Sequence, residues 1–173
     1  AGVKKSGFNL AYRNIRYQGR VEHTQKDDRH IVDLTQIPFT DLASYDAAFF
    51  PQPRHDFLKS WIRQPQSVAL GILSDGKLAG YCVLRKGLTT GYKFGPLYAD
   101  NAELAETLFQ SACSRIPQNE AIFVDTPEPN TAAKDFVKRH NMKPVFETAR
   151  MYSGEIPDLS IDRTYGITSF EIG

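Results

Sequence analysis

Cysteine is nearly absent from this 173-residue chain, which has only Cys82 and Cys113, each inside an apolar segment. A disulfide framework and a cysteine-based zinc cluster are both excluded, and the two residues read as free thiols of a core. The four histidines, His23, His30, His55 and His140, form no i, i+4 pair and no HExxH spacing, so no protein-held metal is expected. An excess of one charge is lacking as well: 21 Lys and Arg stand against 20 Asp and Glu, a net charge of +1. That balance supplies no strong field for a polyanion or an anionic surface, so neither nucleic acid nor membrane is expected as a partner. No run approaches the ~18 apolar residues that span a bilayer, and the opening Ala1-Gly2-Val3-Lys4-Lys5 has no apolar stretch behind its lysines. A soluble, cytoplasmic protein is the expectation. The phosphate-cradling GxxxxGK loop, the dinucleotide GxGxxG turn and the GxSxG nucleophile elbow are all missing, and nucleotide hydrolysis, dinucleotide redox and serine hydrolysis lose their usual signatures.

What is present is enough for one core. With 41% hydrophobic and 24% charged residues, a chain of this length buries roughly 70% of its unfolded surface on folding. Residues 22–30, Glu-His-Thr-Gln-Lys-Asp-Asp-Arg-His, are polar without apolar periodicity and set a short aromatic and basic opening piece apart from the rest. The division predicted is 1–22, a linker at 23–30, and a domain over 31–173. The opening piece, Gly7 to Tyr17, alternates well enough for a strand or two but has no partner element of its own, so pairing with another chain or another copy of the sheet is expected.

After the linker the pattern gives a short strand at His30 to Leu34, a helical stretch from Thr40 to Phe50, and a second helix carrying Phe57, Leu58, Trp61 and Ile62 on one face and ended by Pro65. Val68 to Leu73 and Leu78 to Leu84 read as strands joined through Asp75-Gly76, the preferred pair for a tight hairpin turn, and a third strand follows at about Thr89 to Ala99. Asp100 and Glu103 have the spacing of a helix N-cap box before Leu104, Ala105, Leu108, Phe109 and Ala112. Ala121 to Asp125 is almost wholly apolar, as a strand buried on both faces would be. A helix through Ala132, Ala133, Phe136 and Val137 ends near Asn141, and strands are predicted at Val145 to Ser153 and Thr164 to Ile172.

A meander leading into a helix, a buried strand, a second helix and a closing hairpin resembles the GNAT superfamily of acyl-CoA-dependent N-acyltransferases. Phe94-Gly95-Pro96-Leu97-Tyr98-Ala99-Asp100 looks like that family's central strand, and Asp125-Thr126-Pro127-Glu128-Pro129-Asn130 looks like the entry to its next helix. From about Asp33 onward, Gly91 to Leu97, Phe146 to Tyr152 and Thr168 to Gly173 resemble the C-terminal module of proteins that carry two such modules in tandem, and Ser6-Gly7-Phe8 with its Tyr-Arg-rich strand looks like the end of a preceding module. The resemblance implies an α/β (α+β) fold with a mixed, mostly antiparallel twisted sheet of six or seven strands and helices on both faces. It also implies transfer of an acyl group from acetyl-CoA, or another acyl-CoA, to a small amine or amino-acid-like acceptor, with an N-terminal GNAT module or a second copy as partner.

The departures are specific. The family's pyrophosphate loop, an Arg or Gln followed by spaced glycines at a helix N-terminus, has no counterpart between Tyr98 and Leu104, where Ala99, Asp100, Asn101, Ala102 and Glu103 stand. The Tyr that often protonates the leaving thiolate falls here on Val137, and the Gly-Phe pair ending the helix is Asn141-Met142. By position at strand ends, Asp125 and Tyr98 are the candidate catalytic groups, and Leu97, Tyr98, Ala99 and Asn130 the candidate cofactor contacts. Pro96 suggests a local opening of its strand, because a strand-interior proline belongs at an edge or a bulge. Glu128, Glu147, Tyr92, Tyr152 and His55 are further titratable candidates, and Arg54 with His55 could hold an anionic substrate. Two functions are therefore carried forward: an N-acyltransferase, and a non-catalytic GNAT-fold module supporting a catalytic N-terminal one.

Overall fold

A computed structural model describes residues 7–24 and 27–172. The first six residues of the opening piece, the middle of the linker and the final glycine lie outside the described residues. In chain order the elements are β1 (Asn9–Arg20), β2 (Ile31–Asp33), α1 (Phe39–Asp46), α2 (His55–Trp61), β3 (Ser67–Ser74), β4 (Lys77–Lys86), β5 (Tyr92–Ala99), α3 (Ala102–Cys113), β6 (Ala121–Pro127), α4 (Thr131–Arg139), β7 (Lys143–Tyr152) and β8 (Thr164–Gly166). Asp75 and Gly76 take φ of 51° and 75°, the two positive values that a hairpin turn matched to the strand twist requires. Asn141 closes α4 at φ 54°, in the left-handed region that Asn tolerates.

The strands form one eight-stranded sheet in the order β2-β3-β4-β5-β6-β1-β7, with β8 pairing β5 off that path. Among the described residues only β5 and β6 are parallel, and the fold is the expected mixed, mostly antiparallel α+β type. The strand count exceeds the expected six or seven because the opening piece joins the sheet. That corrects the expectation of pairing outside the chain: β1 lies between β6 and β7, with Asn14 opposite Pro127 on one side and Thr148 on the other. Its partners lie far along the chain (Asp125 is 109 residues beyond Arg16), so no local pattern marks them.

Two apolar layers flank the sheet. Phe94, Leu97, Val124, Phe109 and Phe136 pack under α3 and α4, and Leu42, Phe49, Tyr81 and Tyr98 pack under α1 and α2. Both cysteines are buried, and they form no disulfide. At the start of α3 the expected cap is displaced by one residue, because the Asn101 side chain accepts from the Leu104 amide at 2.9 Å. Asp100 instead accepts from the Tyr45 hydroxyl at 2.9 Å and from Arg163 at 3.1 Å. The expected closing strand is far shorter than Thr164 to Ile172, ending at Gly166.

Candidate functional site

The centre of the sheet is where β5 and β6 separate. They run in parallel register from Tyr92 to Phe94 against Ile122 to Val124 and then part. Gly95 and Pro96 together stand opposite Val83, since Leu84 pairs with Phe94 and Cys82 with Leu97, so proline occupies an irregularity where its missing N–H breaks no ladder. The separated strands do not enclose an open slot. β8 enters the gap and pairs with β5, Leu97 opposite Gly166 and Tyr98 opposite Thr164. On its other side Thr126 Oγ1 donates to the Tyr165 carbonyl and the Ile167 amide donates to the Asp125 carbonyl, both at 2.9 Å. The approach is close enough to demand glycine, because a Cβ on Gly95 would stand 2.2 Å from the Thr168 carbonyl oxygen.

The residues nominated from the sequence as catalytic groups and cofactor contacts are engaged by the protein itself. Leu97, Tyr98 and Ala99 are buried, and their strand is paired on one side with β4 and, at Leu97 and Tyr98, on the other with β8. The Asn130 amide caps α4 by accepting from Ala133 N at 3.1 Å, while its Nδ2 donates to the carbonyls of Ile161 at 3.0 Å and Thr164 at 2.9 Å. Asp125 is fully buried and receives Arg16 in a fork, at 2.7 and 2.9 Å, and Lys93 Nζ at 2.6 Å. The hydrogen bond from Arg16 to Asp125 raises the Arg16 pKa. Burial lowers that of Lys93 despite the attraction of Asp125, and Arg16 and Arg85 add their repulsion. Such a carboxylate is the shared counterion of two cations, held in place by both.

Tyr98 belongs to a second polar cluster that spacing alone did not connect. The Arg54 side chain, 6% exposed, donates to both carboxylate oxygens of Asp46 at 2.8 and 2.7 Å, and Tyr81 donates to the same carboxylate at 2.5 Å. Arg54 also reaches Thr168 Oγ1 at 3.2 Å and the Tyr98 hydroxyl at 3.5 Å. The Tyr98 ring stacks on Phe49 with centroids 3.9 Å apart, and burial raises its pKa. Arg54 is thus committed to an internal pair, while His55 beside it is exposed against the edge of Phe39. Of the remaining candidates, Glu147 makes an exposed pair with Arg13 at 2.7 Å, Glu128 is exposed, and Tyr92 opens β5 at the far end of the strand from Tyr98. Only Tyr152 approaches the same region as Tyr98, across a cavity that Asn14 also lines.

Acyl-CoA would need a free edge on β5, donors at the start of α3 and an available amide near α4. The first is taken by β8, the loop before α3 has no glycine, and the third is spent on Ile161 and Thr164. The residues present do not fit the cosubstrate in this arrangement.

Residues 42–166 match the acetyltransferase (GNAT) domain family. The holothin acyltransferase of Pseudoalteromonas sp. (strain SANK 73390) is 28% identical over 172 residues, which cover 98% of this chain and 58% of that protein. A crystal structure from Pyrococcus horikoshii superposes with a TM-score of 0.80 at 24% identity, covering 99% of this chain and 55% of that one. A GCN5-related N-acetyltransferase from Sphaerobacter thermophilus gives 0.56 at 15% identity over 85% of this chain and 53% of its own. The chain therefore spans a little over half the length of these proteins. No helix among the described residues is long and apolar enough to cross a membrane.

Proposed function

The chain belongs to the acetyltransferase (GNAT) domain family, and we propose that it is the supporting half of an acyl-CoA-dependent N-acyltransferase whose thioester is held by another GNAT-type module. The reaction of the whole protein moves an acyl group from the thioester to a small amine. It needs a neutral amine, a polarised carbonyl and a proton for the departing thiolate. In this half the groups that sequence position nominated for those roles have structural partners instead. Asp125 neutralises Arg16 and Lys93, Tyr98 braces Arg54 and Thr168, and Asn130 ties α4 to the segment before β8.

The observation that carries this reading is the pairing of Leu97 and Tyr98 with Gly166 and Thr164, which puts the chain's own backbone where a pantetheine arm would pair. The shared length with the relatives agrees with it, since roughly half of an acyltransferase of that size lies beyond what this chain matches. Thiol release from acetyl-CoA in the presence of primary amines tests the proposal. This chain alone is expected to remain at the uncatalysed rate, whereas a polypeptide extended to the length of the relatives turns over. Multiple turnovers by the 173 residues alone would overturn it and return Asp125 and Tyr98 to a catalytic role.

A further inference from the structure

Two buried side-chain polar atoms, Asn14 Oδ1 and Arg85 Nε, have no hydrogen-bond partner among the described residues, and Asn14 faces a cavity. Asn14 is 2% exposed, and its side-chain oxygen has no hydrogen-bond donor among the described residues. A buried acceptor without a partner is destabilising, so the site favours an occupant that supplies a donor. Asn14 lines a cavity of about 20 Å³ together with Tyr12, Phe50, Tyr98, Arg150 and Tyr152. Among the described residues that line it there is no carboxylate.

We propose that this cavity is the mouth of a binding site for a small, neutral N–H donor carried on a flat, largely apolar body, such as a weakly basic aromatic amine, with the Asn14 oxygen accepting its proton. The proposal rests on the supporting role argued above and assigns that half the task of holding the acceptor. Three observations set the ligand's chemistry. The walls are aromatic rings, which favour stacking or edge contact with a flat body. Two guanidinium groups already lie over rings of this wall, Arg54 at 4.5 Å from Phe50 and Arg150 at 5.3 Å from Tyr152, so those two faces are taken and a further positive charge beside them is repelled. Burial and the neighbouring Tyr152 push the Tyr12 hydroxyl up to about 12, so it stays a neutral phenol and provides no countercharge. An amine bound here stays neutral, the form in which nitrogen is nucleophilic.

As it stands the cavity has room for about one water molecule. A larger guest enters by rotation of Phe50 and Tyr152, both of which are only half-buried at its edge. The polar floor is fixed, because Asn14 sits in the middle of β1 between β6 and β7.

The test is an NMR titration of the chain at neutral pH with aniline, benzylammonium and benzoate, without acyl-CoA, so that its outcome is separate from that of acetyl-CoA binding. Aniline is expected to bind saturably, about tenfold or more tighter than benzylammonium. Asn14→Leu should lose about tenfold for aniline. Arg150→Gln, a change at the half-buried rim that leaves the core intact, should raise benzylammonium affinity about fivefold or more while changing aniline little. Equal binding of aniline and benzylammonium, an Asn14→Leu chain that binds aniline as the native one does, or an unchanged benzylammonium affinity in Arg150→Gln each overturns the proposal. So does the absence of saturable binding, which would leave the cavity holding water alone.

Discussion

The amide of Ile167 donates to the carbonyl of Asp125 at 2.9 Å, and with Thr164 opposite Tyr98 it stitches the last part of the chain between two strands that have parted. Gly95→Ala should break that stitch, since the added Cβ would meet the Thr168 carbonyl at 2.2 Å and neither backbone can give way cheaply. A loss of about 1–3 kcal/mol, as for other overpacked sites, is expected in urea unfolding. Unchanged stability would mean that the Thr164 to Thr168 segment lies elsewhere in solution.

Asp125→Asn separates a structural anion from a catalytic base. The substitution preserves shape but leaves Arg16 and Lys93 without their shared carboxylate, so a loss of about 3–5 kcal/mol is expected by denaturant titration. A variant of native stability would show that Asp125 is not the anchor of this cluster.

Asn130→Ala should also act on stability. It removes the cap of α4 and strips the carbonyls of Ile161 and Thr164 of their donor, together roughly 2–4 kcal/mol. Hydrogen exchange is expected to rise first at Tyr165 to Ile167. Exchange unaltered there would dissociate Asn130 from the β8 segment.

Alkaline unfolding follows from the tyrosines. Tyr12 titrates near 10.0 when exposed and at about 12 in the native protein, mainly through burial. Between those values the unfolded chain has released a proton that the native one keeps. This contribution is thus fully present below pH 10 and lost as the pH rises toward 12. Burial raises Tyr81 and Tyr98 in the same sense, whereas Lys93, lowered from 10.5, adds stability as pH rises through the window just below that value. Tyr12→Phe should therefore flatten the alkaline fall of the unfolding midpoint. An identical pH profile would contradict the assignment.

Periodicity and turn chemistry made most of the elements legible. The Asp75-Gly76 hairpin, the helix around Phe109 and the buried strand at Val124 follow from local residue order, and each appears where that order puts it. The placement of β1 was hidden because a strand's partners are set by long-range packing, and an alternating run such as Tyr12 to Tyr17 fits an edge, an interior slot or another chain equally well. The site was legible by position and not by role. Asp125, Tyr98 and Asn130 do converge near the point where β5 and β6 part, yet what each does depends on Arg16, Lys93, Arg54 and β8, which no spacing rule links to them. Asn14 carried no signal at all, since a lone asparagine in a strand pattern differs from a surface residue only by the neighbours that bury it.

Calorimetric titration of the 173-residue chain with acetyl-CoA tests directly the proposal that another module holds the thioester. With the β5 edge paired and the glycine loop absent, several charge-assisted hydrogen bonds of about 1.5–3 kcal/mol each are unavailable, which moves a micromolar ligand to millimolar or weaker. No heat of binding is expected at micromolar acetyl-CoA. A one-to-one isotherm with a micromolar Kd would instead assign a working acyl-CoA site to these 173 residues.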